Sequence, residues 1–226
     1  MMLFYLLKDK TAAGVSAKSL ALYGLAFLTR SICLWHFQGY LPLDRSGDWV
    51  PHIEFLAFCV TAGALYVVLH VNRATYAREE DSFGKKGIPG VPHEAGPLYL
   101  LVPSLLMALV FHPSLNNHFL SDTMWTFALY LEAVAPLPQL YMFQLSKKPV
   151  ERWTYHFVFT LSVARIFSLL FWVSSFHELN SSKTLMGNWV GPLVLLNEIL
   201  AVLVLADYSW YYLSALRSGT TLSLAV

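Results

Sequence analysis

The chain has 226 residues, of which 56% are hydrophobic, 15% aromatic and 13% charged, and its net charge is +1. Soluble domains carry about a quarter charged residues, so roughly half the usual solvating charge is missing, while a mean hydropathy of +0.52 exceeds what a single core needs and implies an integral membrane protein. Near-neutral charge excludes a nucleic-acid binder working by broad phosphate neutralisation, and two cysteines, Cys33 and Cys59, both inside apolar runs, exclude a disulfide framework or a zinc site.

Residues 1–7 are apolar but would form only about 10 Å of helix at about 1.5 Å per residue. No basic stretch precedes them and no small-residue cleavage site follows, so they predict a helix stub or interfacial segment rather than a signal peptide. A spanning helix needs about 20 mostly apolar residues, and six runs approach that length: 14–35, 51–71, 97–112, 123–145, 154–176 and 187–213. The expectation is an all-α polytopic transmembrane bundle, six full spans plus a stub, forming a single integral membrane domain over 1–226.

The first run contains Arg30, flanked by Phe27-Leu28-Thr29 and too deep in the run for comfortable snorkelling. Between the second and third runs, residues 72–96 mix Arg78, Glu79, Glu80, Asp81, Lys85 and Lys86 with Gly87, Pro89, Gly90 and Pro92, the composition of a connecting loop. The third run is short, and Pro97, Pro103 and Pro113 predict a kinked path. At the start of the fourth, Asp122 and Trp125 stand one turn apart on one face. They suit either a cationic or amphipathic ligand, or a helix cap by Ser121 and Asp122 with an interfacial tryptophan. The same run carries Glu132 and is interrupted by Pro136 and Pro138, whose freed carbonyls Gln139 is placed to meet.

The fifth run contains Arg165, and the last contains Glu198 beside Asn197, which suits a structural hydrogen bond ahead of a ligand contact, and Asp207 before an interfacial aromatic group, Tyr208, Trp210, Tyr211 and Tyr212. Two cations in hydrocarbon need carboxylate partners or an anionic ligand. Glu132 and Asp207 are available for an internal ion-pair lattice; alternatively one arginine takes a peptide carboxylate through a bidentate fork. His36, His52, His112, His118 and His177 gather toward one side without metal-binding spacing. No phosphate loop, nucleophile motif or H-E-x-x-H sequence is present, which argues against an enzyme and implies no cofactor.

Basic residues concentrate in cytosolic loops. One side of the six-span arrangement holds Lys8, Lys10, Lys18, Arg73, Arg78, Lys85, Lys86, Lys147, Lys148, Arg152 and Arg217, and the other only Arg45 and Lys183, which puts the loop 72–96 and the tail 214–226 in the cytosol.

Two stretches carry a family resemblance. Gly14-Val15-Ser16-Ala17-Lys18-Ser19, continuing to Leu22-Tyr23 and Phe27-Leu28-Thr29-Arg30, resembles the G-I-S-x-K-S opening of the second helix in the K-D-E-L receptor family. Trp125-Thr126-Phe127 followed by Tyr130-Leu131-Glu132-Ala133-Val134-Ala135-Pro136-Leu137-Pro138-Gln139-Leu140 is similar to that family's W-T-F and Y-L-E-S-V-A-I-L-P-Q-L segment. The resemblance runs from about residue 12 to the C-terminus. It implies a seven-helix bundle like the sugar-transporter and PQ-loop fold, here with a truncated first helix. It further implies binding of the C-terminal retrieval tetrapeptide of endoplasmic reticulum residents, and their return from the cis-Golgi in coat-protein-I vesicles.

By the same resemblance Arg30, Asp122, Trp125 and Arg165 are the ligand-binding positions, and Glu132, Gln139 and Asp207 the structural ones. The chain departs from the family at Ser31 and Cys33, at Ala164 and Ser168 in place of tyrosines, at Phe171 in place of asparagine and at Ser175 in place of arginine. The pH-sensing histidine of the first helix has no counterpart, and a lysine-rich tail becomes Ala215-Leu216-Arg217-Ser218-Gly219. A small-solute transporter on the same scaffold and a receptor-like paralogue without a peptide ligand therefore stay open at this point.

Overall fold

The computed structural model describes residues 2–37, 40, 50–85, 95–116, 118–145, 152–177 and 189–218. Arg45, Lys86, Lys147, Lys148 and Lys183 of the charge count, and the tail beyond Ser218, lie outside the described residues. The helices are α1 (Met2–Lys8), α2 (Ala17–His36), α3 (Val50–Tyr66, widening into a π-helical turn at Val67–Val71), α4 (Leu98–Val110), α5 (Phe119–Val134), α6 (Leu137–Leu145), α7 (Arg152–Ser174) and α8 (Val190–Ser218). Among the described residues there is no strand.

Four of these, α2, α3 with its π turn, α7 and α8, are long and apolar enough to cross a membrane. Helix α4 has 13 residues, about 20 Å against a hydrocarbon core of about 30 Å. The expected run 123–145 is two helices: Pro136 offers no N–H and its ring displaces the carbonyl four residues back, so α5 stops at Val134 and α6 restarts at Leu137. Apolar side chains face outward along the bundle, including Val110 at 69% exposure, Phe167 at 67% and Leu203 at 61%. A continuous apolar exterior of this kind is a liability in water and the expected surface in lipid.

The interior is organised around α2 and α5. Twelve of the 20 residues of α2 and eleven of the 16 of α5 are buried, so both helices are enclosed by the others. Helix α1 is a two-turn element docked on the bundle: Leu6 is fully buried in a cluster with Val15, Val67 and Val68, Tyr5 stacks on Trp153 at 5.9 Å, and Asn72 Nδ2 donates to the Leu6 carbonyl at 2.8 Å. Of the expected aromatic belt, Trp210 is exposed, whereas Tyr208 and Tyr212 are buried against Phe143.

The two stretches that carry the family resemblance meet at the start of α2. Gly14 turns the chain at φ +76°, a conformation that disfavours any side chain, and its carbonyl accepts from Gln139 Nε2 at 2.7 Å. Gln139 Oε1 accepts the Ser16 N–H at 2.8 Å, and the Gln139 N–H donates to Ser19 Oγ at 2.9 Å. Ser16 caps α2 by accepting from the Ser19 N–H and donates its own hydroxyl to Asp81 at 2.8 Å. Asp81 also accepts from the Lys18 N–H and the Tyr76 hydroxyl, while Lys18 Nζ donates to the Phe83 carbonyl at 2.8 Å. Burial and the neighbouring Asp81 carboxylate push the Tyr76 phenol up, so it remains a donor. Gln139 therefore ties α6 to α2 rather than covering carbonyls freed in its own helix.

Candidate functional site

Helices α2, α3, α5, α7 and α8 enclose a cavity of about 440 Å³, within the range of small-ligand sites. Its apolar walls include Phe27, Leu34, Trp125, Leu129 and Trp172, and its charged lining is Arg30, Glu54, Glu132, Arg165 and Glu198. The sequence offers Glu132 and Asp207 as partners for Arg30 and Arg165, and the structure gives both arginines to Glu132: its Oε2 meets Arg30 Nη1 at 2.5 Å, and its Oε1 meets Arg165 Nη2 at 2.7 Å. One carboxylate on α5 thus joins α2 to α7.

The break at Pro136 takes part in this arrangement. Proline at that position deprives the Glu132 carbonyl, four residues earlier, of its helical N–H donor, and Arg165 Nη2 lies 3.5 Å from that carbonyl oxygen. Arg165 therefore contacts both the side chain and the backbone of Glu132. Asn197 on α8 adds a bond to the Leu129 carbonyl at 3.1 Å.

Arg30 is less completely engaged. Its Nη2 lies 3.1 Å from Glu54 Oε2. Beyond this ion pair Glu54 Oε2 has no hydrogen-bond partner, and Arg30 Nε is buried without one. On α8, Glu198 is 2% exposed, its Oε2 has no partner, and Ser168 and Arg165 lie beside it. The site thus holds one guanidinium edge with donor capacity to spare and two carboxylates with spare acceptor capacity.

Trp125 forms the wall between this cavity and a buried polar group. The Tyr40 ring stacks on Trp125 at 5.4 Å. Its hydroxyl donates to Asp122 Oδ1 at 2.9 Å and lies 2.6 Å from the Ser121 hydroxyl. The Asn116 N–H reaches both Asp122 oxygens, at 3.3 and 3.4 Å. Burial pushes the Tyr40 phenol up and keeps it protonated as the donor in that bond. Asp122 is 1% exposed and is absent from the cavity lining. Capping of α5 falls to His118, whose Nδ1 accepts from the Ser121 N–H.

Of the residues singled out in the sequence, Arg30, Trp125, Glu132 and Arg165 come together. Asp207 does not join them: it is exposed, beside a separate groove with Leu140, Tyr141 and Tyr208. The reason is helical rise, because Asp207 lies nine residues beyond Glu198, about 13 Å along α8. The second carboxylate at Arg30 is instead Glu54. It carries the same signal as Glu132, an acid inside an apolar run, and was missed because it stands close to the run's start. Ala164, Ser168 and Phe171, at which the chain departs from the resemblance, all line the cavity.

Comparison with known proteins identifies the family. The chain matches the family model described as ER lumen protein retaining receptor over residues 11–175. It is 30% identical to the ER lumen protein-retaining receptor of Drosophila melanogaster over 226 residues, covering 99% of this chain and 91% of that protein. It is likewise 30% identical to the Petunia hybrida protein of the same name over 217 residues, 95% of this chain and 87% of the relative. Identity to the Dictyostelium discoideum protein of that name is 26% over 227 residues, covering 99% and 91%. With the two motifs interlocked at Ser16, Ser19 and Gln139, Arg30 paired to Glu132, and the match extending over most of the sequence, the chain belongs to the ER lumen protein retaining receptor family.

Proposed function

We propose that the chain is a retrieval receptor that binds the C-terminal peptide of endoplasmic reticulum residents and returns them from the cis-Golgi. The family carries the retention role. The observation that supports a carboxylate ligand is the state of Arg30, whose Nε is buried without a partner while its Nη2 is ion-paired with Glu54 at 3.1 Å. That guanidinium edge is shaped for a carboxylate, which would accept from both nitrogens at once.

In this reading Arg30 takes the terminal carboxylate, Trp125 and its apolar neighbours receive the last side chain, and Arg165 adds positive charge from α7. Asp122 acts through others, holding the Tyr40 hydroxyl so that the Tyr40 ring braces Trp125. Glu132, Gln139 and the hydrogen bonds at the start of α2 hold the scaffold.

The proposed setting is a multi-pass membrane protein of the endoplasmic reticulum and cis-Golgi, its exposed apolar faces covered by lipid. The broken helix α5–α6 and the short α4 complete six crossings, with α1 in the place of a further helix, in a sugar-transporter-like arrangement. The excess of basic residues puts the C-terminus in the cytosol, where coat-protein-I machinery is the partner. The test is depletion of the protein in its own cell: increased secretion of lumenal residents, reversed by the wild-type chain and not by Arg30→Ala, is expected. Unchanged secretion would contradict the proposal.

A further inference from the structure

We infer that a peptide carboxylate entering this cavity brings a proton with it, and that the proton goes to Glu198 on α8. The inference rests on the receptor reading above and deepens it by naming the residue through which that site answers to pH.

The three acids of the lining are held differently. Glu132 bonds two guanidiniums, at 2.5 and 2.7 Å, and Glu54 pairs with Arg30 at 3.1 Å. Glu198 makes no salt bridge among the described residues, although it is 2% exposed and its Oε2 has no hydrogen-bond partner. Around it stand Ser168 and Arg165 on α7, with Glu132 on α5 and Arg30 on α2 within electrostatic reach. Tyr23 on α2 and Glu54 on α3 complete the titratable groups of the same cavity. The neighbouring Asn197 bonds the Leu129 carbonyl at 3.1 Å, and Arg165 is already engaged by Glu132.

A bound peptide changes this balance. Water entering the open cavity can solvate a charge on Glu198, and a peptide expels that water. Burying an unpaired charge costs far more than burying a neutral acid. The terminal carboxylate, placed on the Nε edge of Arg30, also adds a fourth acid to a space lined by two bases, and carboxylates crowded in low dielectric do not all stay ionised. A proton on Glu132 or Glu54 would break a salt bridge, whereas Glu198 has none to lose. The proton comes from the lumenal solution and returns there on release. Once neutral, Glu198 has an O–H to donate, and the Oε2 that lacks a partner can bond a peptide carbonyl. Because the bound state holds one more proton than the free state, affinity rises as pH falls, by at most about tenfold per pH unit.

The test uses the purified full-length protein in nanodiscs and a labelled peptide ending in Lys-Asp-Glu-Leu, as free acid and as amide. Wild type should bind the free acid about tenfold or more tightly at about pH 5.5 than at about pH 7.5, with about one proton taken up per peptide by calorimetry in buffers of different ionisation enthalpy. In Glu198→Gln, whose amide mimics the neutral acid, the ratio should shrink to about threefold or less, through tighter binding at the higher pH, and proton uptake should fall with it. A purely structural role for Glu198 would instead lower affinity at both pH values and leave the ratio alone. Glu198→Met, which also lacks the titrating group, gives the same flattening if the Gln variant does not fold. His36→Gln and His52→Gln, both at exposed positions, should keep the wild-type ratio. A ratio and proton uptake that persist in a folded Glu198 variant, or that vanish in either histidine variant, would overturn the inference and leave the receptor reading standing. So would binding of the free acid by wild type that does not vary with pH. Failure of wild type to prefer the free acid over the amide at either pH would overturn the inference and the receptor reading together.

Discussion

The guanidinium of Arg30 on α2 meets the carboxylate of Glu132 on α5 at 2.5 Å, and the other oxygen of that carboxylate holds Arg165 on α7. Glu132 is thus the only member of the group bonded to two cations by side-chain salt bridges among the described residues. Its loss leaves two mostly buried guanidiniums side by side, Arg30 with Glu54 alone and Arg165 without an ion pair among the described residues.

Glu132→Gln is therefore expected to destabilise the protein by about 3–5 kcal/mol, the cost of removing one partner from a buried pair. Thermal unfolding in detergent measures this. Adding Arg165→Met should restore part of the loss, because one stranded charge goes with it. A Glu132→Gln variant as stable as wild type would show that the lattice does not hold the helices together.

Gln139 uses its side-chain carbonyl, its side-chain amide and its backbone N–H on Ser16, Gly14 and Ser19. Gln139→Leu removes both side-chain bonds and leaves two buried backbone groups at Gly14 and Ser16 unpaired, at about 1–3 kcal/mol each. Gln139→Glu should fail as well, since a carboxylate cannot donate to the Gly14 carbonyl and would face it oxygen to oxygen. Proteolysis within residues 9–16, followed against time, should accelerate in both variants.

Tyr40→Phe keeps the ring on Trp125 at 5.4 Å but removes the donor to Asp122. The expected loss is about 1–3 kcal/mol, for a buried carboxylate with one bond fewer. Trp125→Ala removes the cavity wall itself and should cost about 3–5 kcal/mol. If Asp122 acts through Tyr40 and Trp125, peptide affinity falls less in Tyr40→Phe than in Trp125→Ala, as fluorescence-polarisation titration would show. The reverse order would place Asp122 in direct contact with the ligand.

How far the sequence foretells this arrangement varies with the physics of each residue. Arg30, Glu132 and Arg165 stand out because an ion in hydrocarbon needs a partner, and three such residues of mixed sign have few ways to pair. Glu54 carries the same signal but lies near the start of its run, where a charge reads as a boundary. Asp207 was matched to an arginine on charge alone, whereas pairing depends on depth, and nine residues of helical rise separate it from Glu198. Pro136 announces a break, but not that Arg165 from another helix would contact the freed carbonyl. The placement of Gln139 against Gly14 and Ser16 depends on how two distant segments pack, and periodicity contains nothing of that.

The measurement that tests the central claim most directly is binding of one C-terminal peptide to the wild-type protein as free acid and as amide, repeated with Arg30→Lys. If the open edge of Arg30 receives the terminal carboxylate, the amide should bind at least tenfold more weakly, corresponding to about 1.4 kcal/mol or more. Arg30→Lys, which keeps the charge but loses the planar fork, should reduce that discrimination. Equal binding of acid and amide by the wild-type protein would contradict the account.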